Sequence, residues 1–580
     1  MEDQLHNVRH SLAHLLAAAI KIKYPGVKLG IGPVIDNGFY YDLDFSAGET
    51  PTKENFPSIE KIMRKAIAEK QFFAKAEMTP DEARALFRGE PYKLELIDEL
   101  SAGGKQITVY RNGNFADLCA GPHVANTTEI QPDAFALDRL AGAYWKGDEN
   151  NKMLTRIYGL AFMTKAELDA YQLQQEEARK RDHRKIGKEQ KLFTISELVG
   201  AGLPLLQPNG MIIREAIEDY LWSLHKSKGY NRVWTPHITK KNLYETSGHA
   251  AKFGEELFRV TGGDEEFFMK PMNCPHHMQI FCDNQFSYRD MPVRYFEPAT
   301  VYRYEKAGQL SGLARVRSIT QDDGHLFCRV SQIGEEAGSI VAIIREFYTT
   351  MKMMDGYWVR LSVRGEDRSK YIGSDEAWEK AEVALENAAK ENNLNYKRVE
   401  GEAAFYGPKL DFMFKDAIGR EWQLATIQCD FNLPERFDLS FVNEKGEKER
   451  PVVIHRAIAG SLERFMAMFI EHVAGSFPVW MSPVQVRVLP ISEHHSEYAA
   501  KIVSQLKEND LRVELVDATE SLGKRIRQAK IGKTPYLVVI GEKEIEEKMI
   551  TVESRDGASA KHSLEAFIAL IQAEIRTRKF

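Results

Sequence analysis

The sequence has 580 residues, with hydrophobic residues at 43% and charged residues at 28%; this balance excludes a disordered chain and leaves room for roughly three or four domains. Lys and Arg number 78 against 84 Asp and Glu, a formal charge of −6, which excludes a histone-like polycation but not a local basic groove for RNA. Five cysteines, Cys119, Cys274, Cys282, Cys328 and Cys429, suit a reducing cytosol rather than a disulfide scaffold, and no apolar run approaches the about 18 residues of a membrane span.

Leu5, Val8, Leu12, Leu15, Leu16 and Ala19 recur at helical spacing over 3–23, ending at Pro25-Gly26, and 34–45 reads as a hairpin about Asn37-Gly38. This first block runs to about Gly159. The segment 165–191 predicts one charged helix; from Arg179 to Lys191 it carries seven basic and two acidic residues, as a solvated connector or a phosphate-facing strut. A large block of strands and helices follows from Phe193 to about Met481. Beyond Pro483, strands at 484–491, 511–517, 536–541 and 548–554 alternate with helices near 495–508, in SLGKRIRQAKIGK and from Ser563, which predicts a mostly parallel sheet. No GxxxxGK[ST] or GxGxxG loop joins a strand to a helix, so any ATP must be held by arginines on another kind of sheet.

Three constellations carry chemistry. His10 and His14, four apart on a helix, share a face, and with Cys119 and His123 they could form a zinc tetrad, a proton-transfer site around a water, or two unrelated pairs of half-buried groups. Cys274, His325 and His455, one from each of MKPMNCPHHM, TQDDGHLFC and VVIHRAIAG, could supply three zinc ligands with an open fourth position, although no CxxC supports them. In the segment 297–325, Arg303 and Glu305 are placed two apart on a strand, opposite Arg315 and Arg317 across a Gly-containing loop. That pattern suits phosphates and a base amino group, or merely cross-strand ion pairs.

Together these segments resemble a known family. VYRYE…GLARVRSITQDDGHLF is similar to motif 2 of a class II aminoacyl-tRNA synthetase, VVIHRAIAGSLERF to motif 3, and 202–238 to motif 1. MNCPHHM, TQDDGH, FYGPKLDF and IHRAIAGSLERF resemble the threonyl-tRNA synthetase family, and HSLAHLLAAAI, DLCAGPH and AYWKGDENNKMLTRIYG its N-terminal editing domain. The resemblance implies a multidomain α+β and α/β protein: an editing domain at 1–164, a basic helical linker at 165–191, a class II catalytic domain with an antiparallel sheet at 192–482 and an α/β anticodon-binding domain at 483–580. Three departures stand out: the editing motif begins at His10 without the small ubiquitin-like module that commonly opens the family, Ile319 replaces an adenine-stacking aromatic, and Val552-Glu553-Ser554-Arg555 replaces a Val-Arg-x-Arg.

The resemblance implies a threonine–tRNA ligase that joins L-threonine and ATP into an adenylate and passes the acyl group to tRNA(Thr). Arg303 would take the α-phosphate, Arg464 the triphosphate tail and Glu305 the adenine amino group, with Arg315 also at ATP and Mg²⁺ bridging the phosphates. Cys274, His325 and His455 would hold one Zn²⁺ per subunit, Asp323 would accept from the substrate hydroxyl, and Gln321, Tyr406, Lys409, Gln423 and Gln428 would line the pocket. His10, His14, Asp117, Cys119 and His123 would hydrolyse seryl-tRNA, metal-free in this family although the residue types alone also suit zinc. The basic segment carrying Lys524, Arg525, Arg527, Lys530 and Lys533 would grip anticodon phosphates, although each of these residues taken singly reads as part of a solvated helix face. A cytoplasmic homodimer away from membranes is implied. A zinc hydrolase explains the His/Cys clusters but leaves Arg303 and Arg464 idle, and a non-catalytic tRNA-binding paralogue would be expected to lose them.

Overall fold

The apolar stripe at the start of the chain becomes the helix Glu2–Lys23, which buries Val8, Leu12, Leu15, Leu16 and Ala19. In this computed structural model residues 2–46 and 48–580 are described; the chain divides into two compact units, Met1–Glu177 and Ala178–Phe580. In the first unit that helix and Phe56–Ala68 share a core with an antiparallel sheet ordered Lys28–Leu29, Gly38–Asp44, Met153–Ala161, Phe135–Tyr144. Val34–Ile35 pairs with Gly38–Asp44 in the expected hairpin, but the turn residues are Asp36-Asn37, one position earlier than Asn37-Gly38, with Gly38 already in the strand. A separate three-stranded sheet of Ala74–Met78, Ile107–Asn112 and Phe115–Leu118 delivers Asp117 and Cys119.

The segment 165–191 is not one helix. Helix Lys165–Arg181 ends before Asp182, whose carboxylate caps a second helix, His183–Glu189, by accepting from Arg184 N–H at 2.8 Å. A carboxylate at the N-cap competes with continuation of the preceding helix.

The second unit is built on an eight-stranded sheet ordered Asn231–Arg232, Val293–Tyr302, Ser318–Cys328, Val452–Ser461, Glu421–Asp430, Lys409–Lys415, Trp358–Val363, Tyr396–Glu400. Its inner pairs are antiparallel and only its two outermost pairs are parallel. The two-residue period sorts the side chains. Phe296, Leu326 and Ile454 join the large core with helices Pro208–Lys226, Ile333–Thr350 and Leu462–His472. Their neighbours Tyr295, Phe327 and Val453 face the opposite way and pack with the helix Cys274–Cys282.

The C-terminal sheet, ordered Val513–Leu515, Val486–Pro490, Tyr536–Ile540, Ile550–Ser554, Ser559–His562, corrects the mostly parallel expectation. Its first two pairs are parallel and its last two antiparallel: after the short helix Glu542–Glu547 the chain comes back as Ile550–Ser554 beside Tyr536–Ile540, and a tight turn then returns it as Ser559–His562. The basic inventory there is largely spent within the protein. Arg525 is buried and donates to the carbonyls of Glu520, Pro490, Val516 and Ile491, and Lys530 pairs with Glu553 at 2.6 Å. Past the C-terminus of Leu462–His472, Arg181 donates to His472 O, Lys533 to Ala474 O and Arg555 to Phe477 O. These cations satisfy carbonyls at and beyond the helix end, where no intrahelical partner exists.

Gly324 lies beneath the site, on the helix-packed face of the sheet. A Cβ there would meet the buried Arg456 guanidinium at 2.4 Å. Arg456 donates to Asp322 O and stacks against Tyr230 and Phe296, so it has no room to move. Gly324→Ala is therefore expected to cost about 1–3 kcal/mol of stability, checked by calorimetric Tm against wild type.

Candidate functional site

Strand register assembles the larger site. Tyr295, His325, His455, Gln428 and Lys409 stand directly opposite one another across five adjacent strands, and Glu297, Asp323, Ala457, Thr426 and Asp411 form the next row. The pairing between Ser318–Cys328 and Val452–Ser461 shifts between Gln321 and Asp323. There Asp322 turns to the far face and accepts N–H bonds from Ile458, Ala459 and Gly460. Helix Cys274–Cys282 sets its first residue over this surface, bringing Cys274 Sγ and one ring nitrogen each of His325 and His455 within 4.8 Å of one another, all buried.

Neighbouring carboxylates orient the two imidazoles. Burial opposes ionisation of Glu297, but His277, Lys270 and Thr235 N–H hold its pKa below the usual carboxylate value. His277 Nε2–H donates to Glu297 at 3.0 Å; its Nδ1 lone pair then accepts from His325 Nδ1–H at 2.8 Å, leaving His325 Nε2 bare. His455 Nε2–H donates to Asp430 at 2.9 Å, leaving Nδ1 bare. Two lone pairs and a sulfur converge, the donor set and outer hydrogen bonds that suit a borderline-soft divalent cation. Without a cation, burial pushes the Cys274 thiol well up and His325 well down. Asp323 Oδ2, buried beside them, has no hydrogen-bond partner. The residues fit zinc.

Next to the three donors a cavity of about 680 Å³ is lined by Arg303, Glu305, Arg315, Gln321, Gln423, Gln428 and Arg464. Arg303 and Glu305 lie just past the end of Val293–Tyr302, on the loop rather than on the strand, which corrects their placement; Arg315 pairs with Glu305 at 2.8 Å. Arg303 touches Pro271 O and Met272 Sδ, and Arg464 lies over the Trp422 ring; neither has a carboxylate partner among the described residues. Such arginines are ready for an anion. Asp411 holds the amide end: it accepts from Gln423 Nε2, while Arg360 donates to Gln423 Oε1, and it pairs with Lys409 at 2.9 Å. Tyr406 donates to Gln428 Oε1 at 2.6 Å. Ile319 lines this cavity as well.

Sequence reasoning missed His249, whose Nε2 is 3.4 Å from Cys274 Sγ, and the orienting groups Glu297, Asp430 and Asp411. The one available signal was acidic residues on strands otherwise apolar enough to be buried on both faces.

In the first unit His10, His14, Asp117, Cys119 and His123 line one cavity of about 400 Å³. His10 Nδ1–H donates to Pro122 O and His123 Nδ1–H to Ser11 Oγ, so the Nε2 lone pairs of both face Cys119 Sγ, each at 3.2 Å. Burial lowers His10, holds His14 at about 4 and His123 at about 2, and raises Cys119 to about 11, so the site is a set of neutral imidazoles around a protonated thiol. Asp117 pairs with the buried Lys93 at 2.5 Å and accepts from Tyr41. Lys93 and Tyr41 were missed; the hint was a lysine four residues before Ile97 on the buried side of Pro91–Ala102.

The antiparallel sheet with its arginine loop, motif 3 helix and separate C-terminal domain defines a class II aminoacyl-tRNA synthetase. Residues 258–473 match the tRNA synthetase class II core domain (G, H, P, S and T), 485–574 the anticodon binding domain, and 107–158 the threonyl and alanyl tRNA synthetase second additional domain. A threonine–tRNA ligase of Porphyromonas gingivalis is 49% identical over 98% of this chain and 88% of its own length, and one of Gloeobacter violaceus is 46% identical over 99% and 93%. The crystal structure of the RNA binding domain of threonyl-tRNA synthetase from Cryptosporidium parvum superposes with TM-score 0.65 at 34% identity, covering 68% of this chain and 98% of that one. Giardia lamblia prolyl-tRNA synthetase shares the fold, with TM-score 0.54 at 15% identity. The chain belongs to the threonine–tRNA ligase family.

His14 makes the first unit acid-sensitive. Neither ring nitrogen has a partner, and Phe73 and Phe115 pack edge-on against it. Its folded pKa is depressed from 6.5 to about 4, so its contribution is complete above pH 6.5 and is lost as pH falls toward 4, where the unfolded ring binds a proton and the folded one does not. The share of the loss due to His14 should reach about 3 kcal/mol, read as the difference between wild type and His14→Gln in urea melts from pH 7 to 4, because His10 and His123, whose pKa values are also lowered, add slope of the same sign.

Proposed function

We propose that the chain activates L-threonine with ATP and esterifies tRNA(Thr), and that its first unit hydrolyses seryl-tRNA(Thr). The observation that carries this reading is the convergence of Cys274, His325 and His455 beside a cavity holding two arginines without carboxylate partners. Adenylate formation is displacement at the α-phosphate, in which the protein positions the reactants and stabilises charge. Arg303 binds the α-phosphate, Arg464 the polyphosphate tail, which Mg²⁺ accompanies, and Glu305 with Arg315 the nucleotide's other end. Gln321, Tyr406, Lys409, Gln423 and Gln428 shape the amino-acid pocket, and Asp323, whose carboxylate oxygen is unpartnered, accepts the substrate hydroxyl.

Cys274, His325 and His455 would hold one zinc ion, which would supply a Lewis acid for the amino group and β-hydroxyl of threonine. Valine is threonine's isostere, and a site committed to a hydroxyl rejects its absence by roughly 10⁴–10⁵. Serine keeps the hydroxyl and lacks one methyl, worth only about 1–3 kcal/mol, so a second pocket is needed. There neutral His10 and His14 are the candidates to take a proton from water at pH 7, while an imidazole held at about 2 and a thiol held near 11 argue for His123, Cys119 and Asp117 as positioning groups.

The exposed apolar residues Ile195, Leu198, Val199, Leu205 and Met211, around the start of the motif 1 helix, support a homodimer, with Leu198 fully exposed. Five free thiols and the substrate tRNA support a cytoplasmic setting.

Threonine-dependent pyrophosphate exchange with one zinc per chain is the expected result, and Cys274→Ser should lose both the metal and at least about 10²-fold in exchange. Full exchange in metal-free protein would refute the zinc reading, and a second zinc lost with Cys119→Ser would assign metal to the first unit. The double substitution His10→Ala with His14→Ala should charge threonine normally yet accumulate seryl-tRNA(Thr), read by acid-gel analysis with serine in excess.

A further inference from the structure

We propose that His183, in the segment joining the two units, is a positioning residue for adenylate formation: its imidazole pins the tip of the arginine loop that follows Val293–Tyr302. The inference rests on the reading of that loop as the ATP site.

Leu313 N–H can only donate, and it points at His183 Nε2 at 3.1 Å. Nε2 therefore carries the lone pair and Nδ1 the proton, which goes to Glu471 Oε1 at 2.7 Å. The same oxygen accepts His183 N–H at 3.0 Å, and Arg420 donates to Glu471 Oε2 at 2.5 Å, so the carboxylate that fixes the ring is itself fixed, on the motif 3 helix that carries Arg464. The ring is buried and lies roughly parallel to Phe193. Asp182, His183 and Glu471 are close enough to suggest a metal site, but both ring nitrogens are already engaged and Asp182 is tied to Arg184.

The loop is shaped to this contact. Gly312 has φ +50, and a Cβ there would stand 2.2 Å from His183 Nε2, so backbone reaches the ring only because the residue is glycine. Ser311 and Arg315 exchange two backbone hydrogen bonds, each 3.2 Å, across the turn that contains Leu313. Fixing Leu313 therefore fixes the backbone from which Arg315 reaches Glu305. The base of the loop is held separately, Arg303 N–H to Arg317 O at 3.0 Å and Arg317 N–H to Gly202 O at 2.7 Å. Without the His183 contact the loop would keep the packing of the buried Leu313 and Val316 side chains and the Arg315–Glu305 pair, but no bond to the Leu313 amide.

The test uses full-length protein in threonine-dependent pyrophosphate exchange. An asparagine amide reaches the Nδ1 position and can still donate to Glu471; a glutamine amide reaches the Nε2 position and can accept from Leu313. His183→Asn should raise KM for ATP about tenfold with KM for threonine changed less than about twofold, and His183→Gln should return KM for ATP to within about threefold of wild type. Hydrogen exchange reads the bond directly: the Leu313 amide should be protected in wild type and in His183→Gln, and lose protection in His183→Asn. Equal ATP KM in the two variants overturns the proposal, as does a wild-type Leu313 amide exchanging at unprotected loop rates, a result that requires no variant to fold. Arg315→Ala separates the premises: if it leaves ATP KM unchanged, the loop's role and this inference fall together. If it raises ATP KM while His183→Asn does not, only the inference falls.

Discussion

The site depends on cross-strand register. In an antiparallel sheet, directly opposed residues share a face and stand about 5 Å apart, so one choice of pairing puts His325 beside His455 and Gln428 beside both. A slip of one residue on any strand would send its contribution into the helical core. The pairing is held by the core itself, since Phe296, Leu326 and Ile454 occupy the opposite face at the intervening positions. Asp322, at the irregularity between Gln321 and Asp323, gathers three N–H groups of the neighbouring strand and stabilises the break.

The two cavities are built from similar residue types but orient them differently. In the larger one, each imidazole is turned by an acidic partner so that a bare nitrogen faces the common centre, and Glu297 acts on His325 only through His277. In the smaller one, carbonyl and hydroxyl partners do the turning and the lone pairs face a protonated thiol. Carboxylate-backed imidazoles are better bases and better ligands than carbonyl-backed ones. That difference in what lies behind the rings, rather than the His and Cys count, separates a metal-binding reading from a water-handling one.

Much of this was legible in the sequence. The N-terminal helix, the hairpin within 34–45 with its turn one residue early, the motif helices and the long-range association of Cys274 with His325 and His455 follow from periodicity and family-like segments. The single linker helix and the mostly parallel C-terminal sheet did not hold, because a capping carboxylate and a returning strand are decided by local hydrogen bonds that periodicity does not encode. Arg525 was misread for a related reason: a basic residue on an exposed-looking helix can turn inward when several carbonyls wait there. Groups such as Glu297, Asp430 and His183 act through other side chains, and nothing in their spacing announces it.

Arg525, buried against four main-chain carbonyls, and Lys530, paired with Glu553, alter what the C-terminal region offers a polyanion. A charge already neutralised or sequestered within the fold displaces few condensed counterions when RNA arrives, so it adds little to the ionic-strength dependence of association. The inventory of lysines and arginines thus overstates the electrostatic grip of this region. More of the burden of distinguishing one RNA from another then rests on shape and on individual unstacked bases.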